Sequence, residues 1–133
     1  MKMPIDPGDR QGPLNDLRVL EMGQLIAGPF CGQLLADFGA EVIKLEQPGK
    51  GDPMREWGAE KPHGKPLWFP VLARNKKSVT MNAREAAGQD IIRRLVADSD
   101  VILENFRPGT MERCTSILMI RFIPSFKPGL AYR

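Results

Sequence analysis

Residues 17–46, LRVLEMGQLIAGPFCGQLLADFGAEVIKLE, decide the fold. Residues 17–22 (LRVLEM) are short, partly apolar and followed by Gly23, which predicts a buried strand. Gly28-Pro29 then opens a helix running to about Phe38. Proline suits the first helical position, where its missing N–H would have had no intrahelical partner. Phe30, Leu34, Leu35 and Phe38 share one face at helical spacing, the face expected to be buried. Gly39 stands where a left-handed C-terminal cap is wanted. Glu41–Glu46, with Val42, Ile43 and Leu45, predicts a second strand. Strand, helix and strand within about thirty residues make a right-handed crossover between parallel strands.

The same alternation continues downstream. Residues 47–70 form a loop with four glycines (Gly49, Gly51, Gly58, Gly64) and five prolines (Pro48, Pro53, Pro62, Pro66, Pro70). A loop this long inside a compact domain is uncommon and usually functional. It ends in Leu67-Trp68-Phe69, an apolar patch that must pack on something. Residues 78–81 predict a third strand. Asn82 is expected to cap the next helix, with Glu85 completing an approximate capping box, and Ile91, Ile92, Leu95 and Val96 form that helix's buried face. Residues 100–104 predict a fourth strand, followed by the turn Asn105-Phe106-Arg107-Pro108-Gly109. The fold class is α/β, a mostly parallel sheet with helices on its faces.

Composition narrows the function classes. A chain of 133 residues allows one modest domain. Lys and Arg number 19 against 16 Asp and Glu, a net +3 that suits a small anionic ligand and is too diffuse for nucleic acid or a membrane surface. Cys31 and Cys114 cannot build a disulfide framework and read as reduced intracellular thiols. His63 is the single histidine, which excludes a His-rich metal site and argues against a serine–histidine triad. Residues 1–13 carry three prolines and no apolar core, so they read as a flexible lead-in rather than a targeting signal. No run reaches the length of a membrane span. The expected location is the cytoplasm.

In parallel sheets ligands collect at the C-terminal ends of the strands. Three turns lie there: residues 23–29, 47–52 and 105–113. Gly23 and Gly28 have the spacing of a phosphate-cradling loop, but Pro29-Phe30 stands where Lys and Ser or Thr are needed. GxGxxG does not fit either. Glu46 does sit where a ribose-binding acid would, which keeps half of a dinucleotide-dependent oxidoreductase as an alternative. Arg74-Asn75-Lys76-Lys77, Arg107 and Arg113 could gather around a polyanion, although solvated surface charge is the commoner fate of such residues. Asp37, Glu41, Glu46, Asp52 and Glu104 default to capping or solvation, and His63 to an exposed loop. Met81, Met111, Cys31 and Cys114 default to core.

Three blocks then become specific: LRVLEMGQLIAGPFCGQLLADFGAEVIKLEQPGKGDPMREWG, ARNKKSVTMN and SDVILENFRPGTMER. In this order and at these intervals they resemble the N-terminal signature of the family III CoA-transferases, the CaiB/BaiF family, over roughly Leu14 to Arg113. The resemblance implies the CoA-binding part of a larger polypeptide that forms interlocked homodimers. That polypeptide moves CoA between carboxylic acids through an aspartyl acyl anhydride and uses no metal. Carried over by position, Ile26 and Ala27 contact CoA. Gln47 stands where some members have an arginine, a departure that removes one phosphate or adenine contact. Met81, Asn82, Ala83 and Arg84 border the adenine pocket, with Arg84 its polar contact. Asn105, Phe106 and Arg107 line the nucleotide cleft, and Arg113 reaches the phosphates.

The resemblance divides the chain into a lead-in over 1–13, a partial CoA-binding domain over 14–113 and an aberrant tail over 114–133. The family's catalytic aspartate is expected past Arg133, so no aspartate here is assigned that role. A stand-alone CoA-binding module and a non-functional gene fragment are the alternatives. After Arg113 the expected glycine-rich continuation is replaced by CTSILMIRFIPSF, and KPGLAY then resembles the family again. Residues 116–125 can be encoded so that an adjacent frame reads Asp-Leu-Asp-Asp-Thr-Leu-His-Ser-Ile, an amphipathic helical segment. A local frame disturbance over about residues 114–126 is the expectation from this reading of the code. Sequencing the encoding DNA from the Gly109 codon onward should show those codons; other codons there refute the disturbance.

Overall fold

The computed structural model describes residues 12–107 and 110–111. The expectations for residues 1–11, Arg113, Cys114 and the tail lie outside the described residues. Four strands, β1 (Arg18–Glu21), β2 (Glu41–Glu46), β3 (Lys76–Thr80) and β4 (Val101–Leu103), form one sheet. Its order is β3-β2-β1-β4, and every pair is parallel. The helices are α1 (Ala27–Asp37), α2 (Trp68–Ala73) and α3 (Ala86–Asp98). The expected α/β class with a parallel sheet is therefore what the chain adopts.

Strand alternation sorts the core into two layers. Leu20, Met22, Leu45, Met81 and Ile92 cluster on the α3 side, with Ile43, Leu95, Val96 and Ile102 packed against them. Val19, Val42, Ala36 and Ala40 cluster on the α1 side, with Leu35, Val101 and Leu103. From β1 the chain crosses through α1 to β2, and from β3 it returns through α3 to β4 on the other side of β1. Two right-handed crossovers in opposite directions put their helices on opposite faces. The crevice between β1 and β4 is where the directions diverge, and it opens at the C-terminal strand ends.

Helix α1 corrects the expected buried face. Gly28, Pro29, Gly32, Gln33 and Ala36 face the sheet, while Phe30 is 50% exposed, Leu34 42% and Phe38 55%. Leu35 alone of the expected four is part of the core. The reason lies below the helix: a Cβ on Gly32 would come within 1.9 Å of Glu21 Oε2, so a buried carboxylate demands close approach and selects small residues. Cys31, expected in the core, is exposed on the outer side. Pro29 occupies the third helical position rather than the first, still within the turn whose N–H groups lack intrahelical partners.

The C-terminus of α1 is as expected. Gly39 has φ +100°, its N–H donates to Ala36 O, and the Ala40 N–H donates to Leu35 O, both at 3.0 Å. That is a Schellman cap.

Two other expectations change. Asn82 does not cap α3, which starts at Ala86 with Glu85 as N-cap. Instead Asn82 Oδ1 accepts the Arg84 N–H at 3.0 Å and Nδ2 donates to Glu85 Oε1 at 2.7 Å, closing a turn before the helix. The turn is needed because α3 packs tightly on it: a Cβ on Gly88 would lie 2.0 Å from Asn82 O. The loop over 47–70 is also partly ordered, with short 3-10 turns at Pro53–Glu56 and Pro62–Gly64 and then α2. Its apolar end packs against α1, where Leu67, Trp68, Val71 and Leu72 line an open groove with Ile26 and Phe30. His63 is exposed, and Met81 and Met111 are buried, as the sequence suggested.

Alanine at position 32 should test the close approach. Helix propensity alone favours alanine over glycine by about 1 kcal/mol, but displacing α1 from Glu21 should outweigh that and destabilise by about 1–3 kcal/mol. Urea unfolding should show a lower midpoint for Gly32→Ala and a change within about 0.5 kcal/mol for Cys31→Ala on the outer side.

Candidate functional site

The turns after β1, β2, β3 and β4 converge on one edge of the sheet. Beneath that edge lies a buried charge network. Lys44 Nζ, 1% exposed, meets Glu21 Oε1 at 2.9 Å and Asp52 Oδ2 at 2.8 Å. Lys76 Nζ meets Glu21 Oε2 at 2.6 Å and donates to Pro29 O at 2.7 Å. Two cations and two carboxylates thus cancel. Glu21 Oε2 and Asp52 Oδ2 accept no well-directed hydrogen bond and are held by charge alone. Burial pulls the Lys76 ammonium below its ordinary range, against the opposing pull of Glu21.

A second ion pair organises the turn after β2. Glu46 accepts from Arg55 through both carboxylate oxygens at 2.7 Å, from Ser78 Oγ at 2.6 Å and from the Asp52 N–H at 2.9 Å. The Arg55 guanidinium stacks 3.6 Å from the Phe69 ring centroid, which ties the start of α2 to this turn. Gly51, with φ +67°, leaves room for the pair, since a Cβ there would lie 2.7 Å from Arg55 Cδ and from Glu46 Oε2. Burial opposes ionisation of Glu46, but the bonds from Arg55, Ser78 and Asp52 outweigh it and hold its pKa at about 2 rather than 4.5.

This engagement removes Glu46 as a ribose-binding acid, because its oxygens already face four donors. The basic residues from Arg74 to Lys77, where β3 begins, are likewise engaged by carboxylates of the fold, Arg74 and Lys77 at the surface and Lys76 in the interior. Arg74 pairs with Asp37, Lys76 with Glu21, and Lys77 with Glu41 at 2.7 Å. Asp52 does cap its 3-10 turn through the Met54 N–H at 2.9 Å, while also pairing with Lys44.

The residues singled out by sequence fall into separate groups along the edge. Ile26 and Ala27, both exposed, are the N-cap and first residue of α1, and no side chain caps that helix start. Asn105 joins them: its Oδ1 accepts the Gln24 N–H at 2.8 Å and its Nδ2 donates to Gln24 O at 2.9 Å. Met81, Ala83 and Phe106 meet in the α3-side apolar cluster, with the Met81 side chain buried. Gln47 is exposed just after β2, and its carbonyl accepts the Gly51 N–H at 2.9 Å. Arg84 and Arg107 are exposed on the turns after β3 and β4. With Lys50 on the turn after β2, they make no ion pair among the described residues. Arg113 lies outside the described residues.

Sequence reasoning missed Glu21, Lys44 and Asp52 as the framework under this edge. The signal was present: a glutamate and a lysine interrupt strands that must be covered on both faces, and a buried charge has to be paired. Among the described residues no group of three or more His, Cys, Asp or Glu is placed to hold a metal ion, and no helix is long and apolar enough to cross a membrane.

Comparison with known proteins places this geometry in context. The sequence model of CoA-transferase family III matches residues 14–116. Succinyl-CoA--D-citramalate CoA-transferase of Chloroflexus aurantiacus is 67% identical over 100 residues, 75% of this chain and 25% of that protein. The succinyl-CoA--L-malate CoA-transferase alpha subunit of the same organism is 48% identical over 106 residues, 79% of this chain and 25% of its own length. A crystal structure of a CAIB/BAIF family protein from Brucella suis superposes with a TM-score of 0.70 at 40% identity, covering 77% of this chain and 28% of that one. The chain therefore spans about a quarter of the length of the curated relatives it matches.

The charge pairs under the edge set its response to acid. A carboxylate whose folded pKa is depressed contributes stability above its unfolded pKa and loses it as pH falls toward the folded value. For Glu46 that window runs from about 4.5 down to about 2. Glu41 adds in the same direction, because hydrogen bonds from Lys77 and Arg18 overcome the opposing effect of its burial. Denaturant unfolding at stepped pH should show a loss on the order of 2–3 kcal/mol from Glu46 across this window. Glu46→Gln should flatten that part of the profile; an unchanged slope would show that Glu46 does not carry it.

Proposed function

Because this chain belongs to CoA-transferase family III, we propose that it is the CoA-gripping N-terminal portion of an enzyme that moves CoA between carboxylic acids. One observation carries the reading: Lys50, Arg84 and Arg107 stand on three successive strand-end turns with no ion-pair partner among the described residues, above a framework whose own charges cancel. Cations left over at one edge, next to a helix start with no side-chain cap, suit the phosphates of a nucleotide. Apolar Phe106, Ala83 and Met81 between those turns suit the flat face of an adenine. Ile26 and Ala27 begin α1 beside the crevice and provide backbone for the rest of CoA.

In the intact polypeptide an aspartate carboxylate attacks the acyl-CoA thioester. A bond forms between the carboxylate oxygen and the acyl carbon, the C–S bond breaks, and CoA leaves as the thiolate. The thiolate then attacks the aspartyl carbonyl of the anhydride and expels the first acid as its carboxylate. The second acid displaces CoA from that aspartyl thioester to form a second anhydride, and CoA finally attacks the new acyl carbon and frees the aspartate. Donors fixed beforehand around the developing oxyanion are what such a step requires. Asp52, on the edge itself, is buried against Lys44 and is no free nucleophile, which supports placing the catalytic aspartate in a part of the enzyme beyond the residues described. The names of the two relatives above make succinyl-CoA the donor and a short hydroxy-dicarboxylate the acceptor that we propose. The outer stripe of α1 supports a homodimeric enzyme, since Ile26, Phe30, Leu34 and Phe38 are all large, apolar and exposed. The cytoplasm is the proposed location.

Calorimetric titration of the 133-residue chain with CoA tests the binding reading. Arg84→Ala and Arg107→Ala should each weaken binding about three- to tenfold and reduce its salt dependence. Equal competition by NAD, or no binding of CoA at all, would sink the proposal.

A further inference from the structure

We infer that Lys44, Asp52 and Asn105 act together as positioning residues that hold the turn over residues 23–25 in its ligand-binding shape, an inference that rests on reading this edge as a CoA site. Three consecutive turn residues are each held by a side chain from a different segment. Lys44 on β2 donates from Nζ to Gly23 O at 3.1 Å. Asn105, after β4, grips both the N–H and the carbonyl of Gln24 at 2.8 and 2.9 Å. Asp52, at the end of the turn after β2, accepts the Leu25 N–H through Oδ1 at 3.2 Å.

The turn needs holding. Leu25 has φ +67°, a left-handed conformation that a leucine rarely adopts and that persists only when its surroundings over-determine it. The two ends of the turn are also pressed together: a Cβ on Gly23 would lie 2.8 Å from Gly28 Cα and 2.9 Å from Asn105 Oδ1. The residues that follow directly are Ile26 and Ala27, at the start of α1. A ligand that meets this segment already ordered does not have to order it on binding. Lys44 and Asp52 are buried, and both ends of the Asn105 carboxamide are engaged by Gln24. All three therefore act through the turn.

Site-resolved amide hydrogen exchange by NMR, paired with CoA calorimetry, tests this on the 133-residue chain. In the wild type the Gln24 and Leu25 amides should exchange more slowly than exposed loop amides such as that of Lys50. Asn105→Ala should speed exchange at Gln24 by about tenfold, leave Leu20 and Ile43 unchanged, and weaken CoA binding about five- to tenfold. Asn105→Asp, which keeps the acceptor for the Gln24 N–H and loses the donor to its carbonyl, should fall between. Asp52→Asn should speed exchange at Leu25 and weaken CoA, although its side chain is buried.

Unprotected Gln24 and Leu25 amides in the wild type would overturn the inference. So would an Asn105→Ala chain that frees Gln24 and binds CoA as tightly as before. Protected amides in a wild-type chain that binds no CoA would instead overturn the CoA reading, and the clamp would then be structural only.

Discussion

A lysine ammonium sits at the centre of this fold, almost wholly removed from water. An ion in that position is tolerated only if its charge is matched and its protons are directed. Lys44 meets both conditions by donating to Glu21 on β1 and to the carbonyl of Gly23, with the charge of Asp52 at the end of the next turn beside it. Much else follows from that. Glu21 has a second oxygen to neutralise, which draws in Lys76 from β3. The carboxylate stands so close under α1 that only Gly32 fits above it, and the helix is therefore lined with small residues where it meets the sheet. Asp52 is fixed by the same lysine, which allows its other oxygen to reach Leu25 and Met54.

The sequence made the framework legible and obscured the faces. Strand–helix–strand order, the parallel sheet and the Gly39 cap all follow from local chemistry, because turns and caps are decided by residues a few positions apart. The sequence misleads on the buried face of α1 because Phe30, Leu34 and Phe38 recur at helical spacing yet point outward. Periodicity identifies a stripe, but what covers the stripe depends on parts of a protein far away in sequence. The outward stripe of α1, flanked by Leu67 at the N-cap of α2 and by Trp68 and Val71 on that helix, is unusual for a surface that meets only water.

The turns picked out by their place at the strand ends do lie along one edge of the sheet, but the charges on them are engaged otherwise than the sequence suggests. Asp37, Glu41, Glu46 and Asp52, which read as capping or solvated, and Arg74, Lys76 and Lys77, which read as ligand contacts or solvated surface, are each paired within the fold. Which cations remain for a ligand could be read only after those pairs were subtracted. Asn105 is the opposite case. Its place in a turn beside the crevice was visible from sequence, but the structure shows its carboxamide fastened to Gln24, a partner no local pattern could reveal.

The distance between those two residues along the chain, 81 positions, has a consequence for how the molecule comes into being. Strands β1 and β2 with the helix between them are neighbours in sequence and can associate early, since short loops close at little entropic cost. Strand β4 must wait until the rest of the sheet has been synthesised and has crossed beneath it, and long-range parallel pairing is slow. The crevice between β1 and β4 therefore forms only once β4 has paired with β1, and a molecule that binds there favours that pairing.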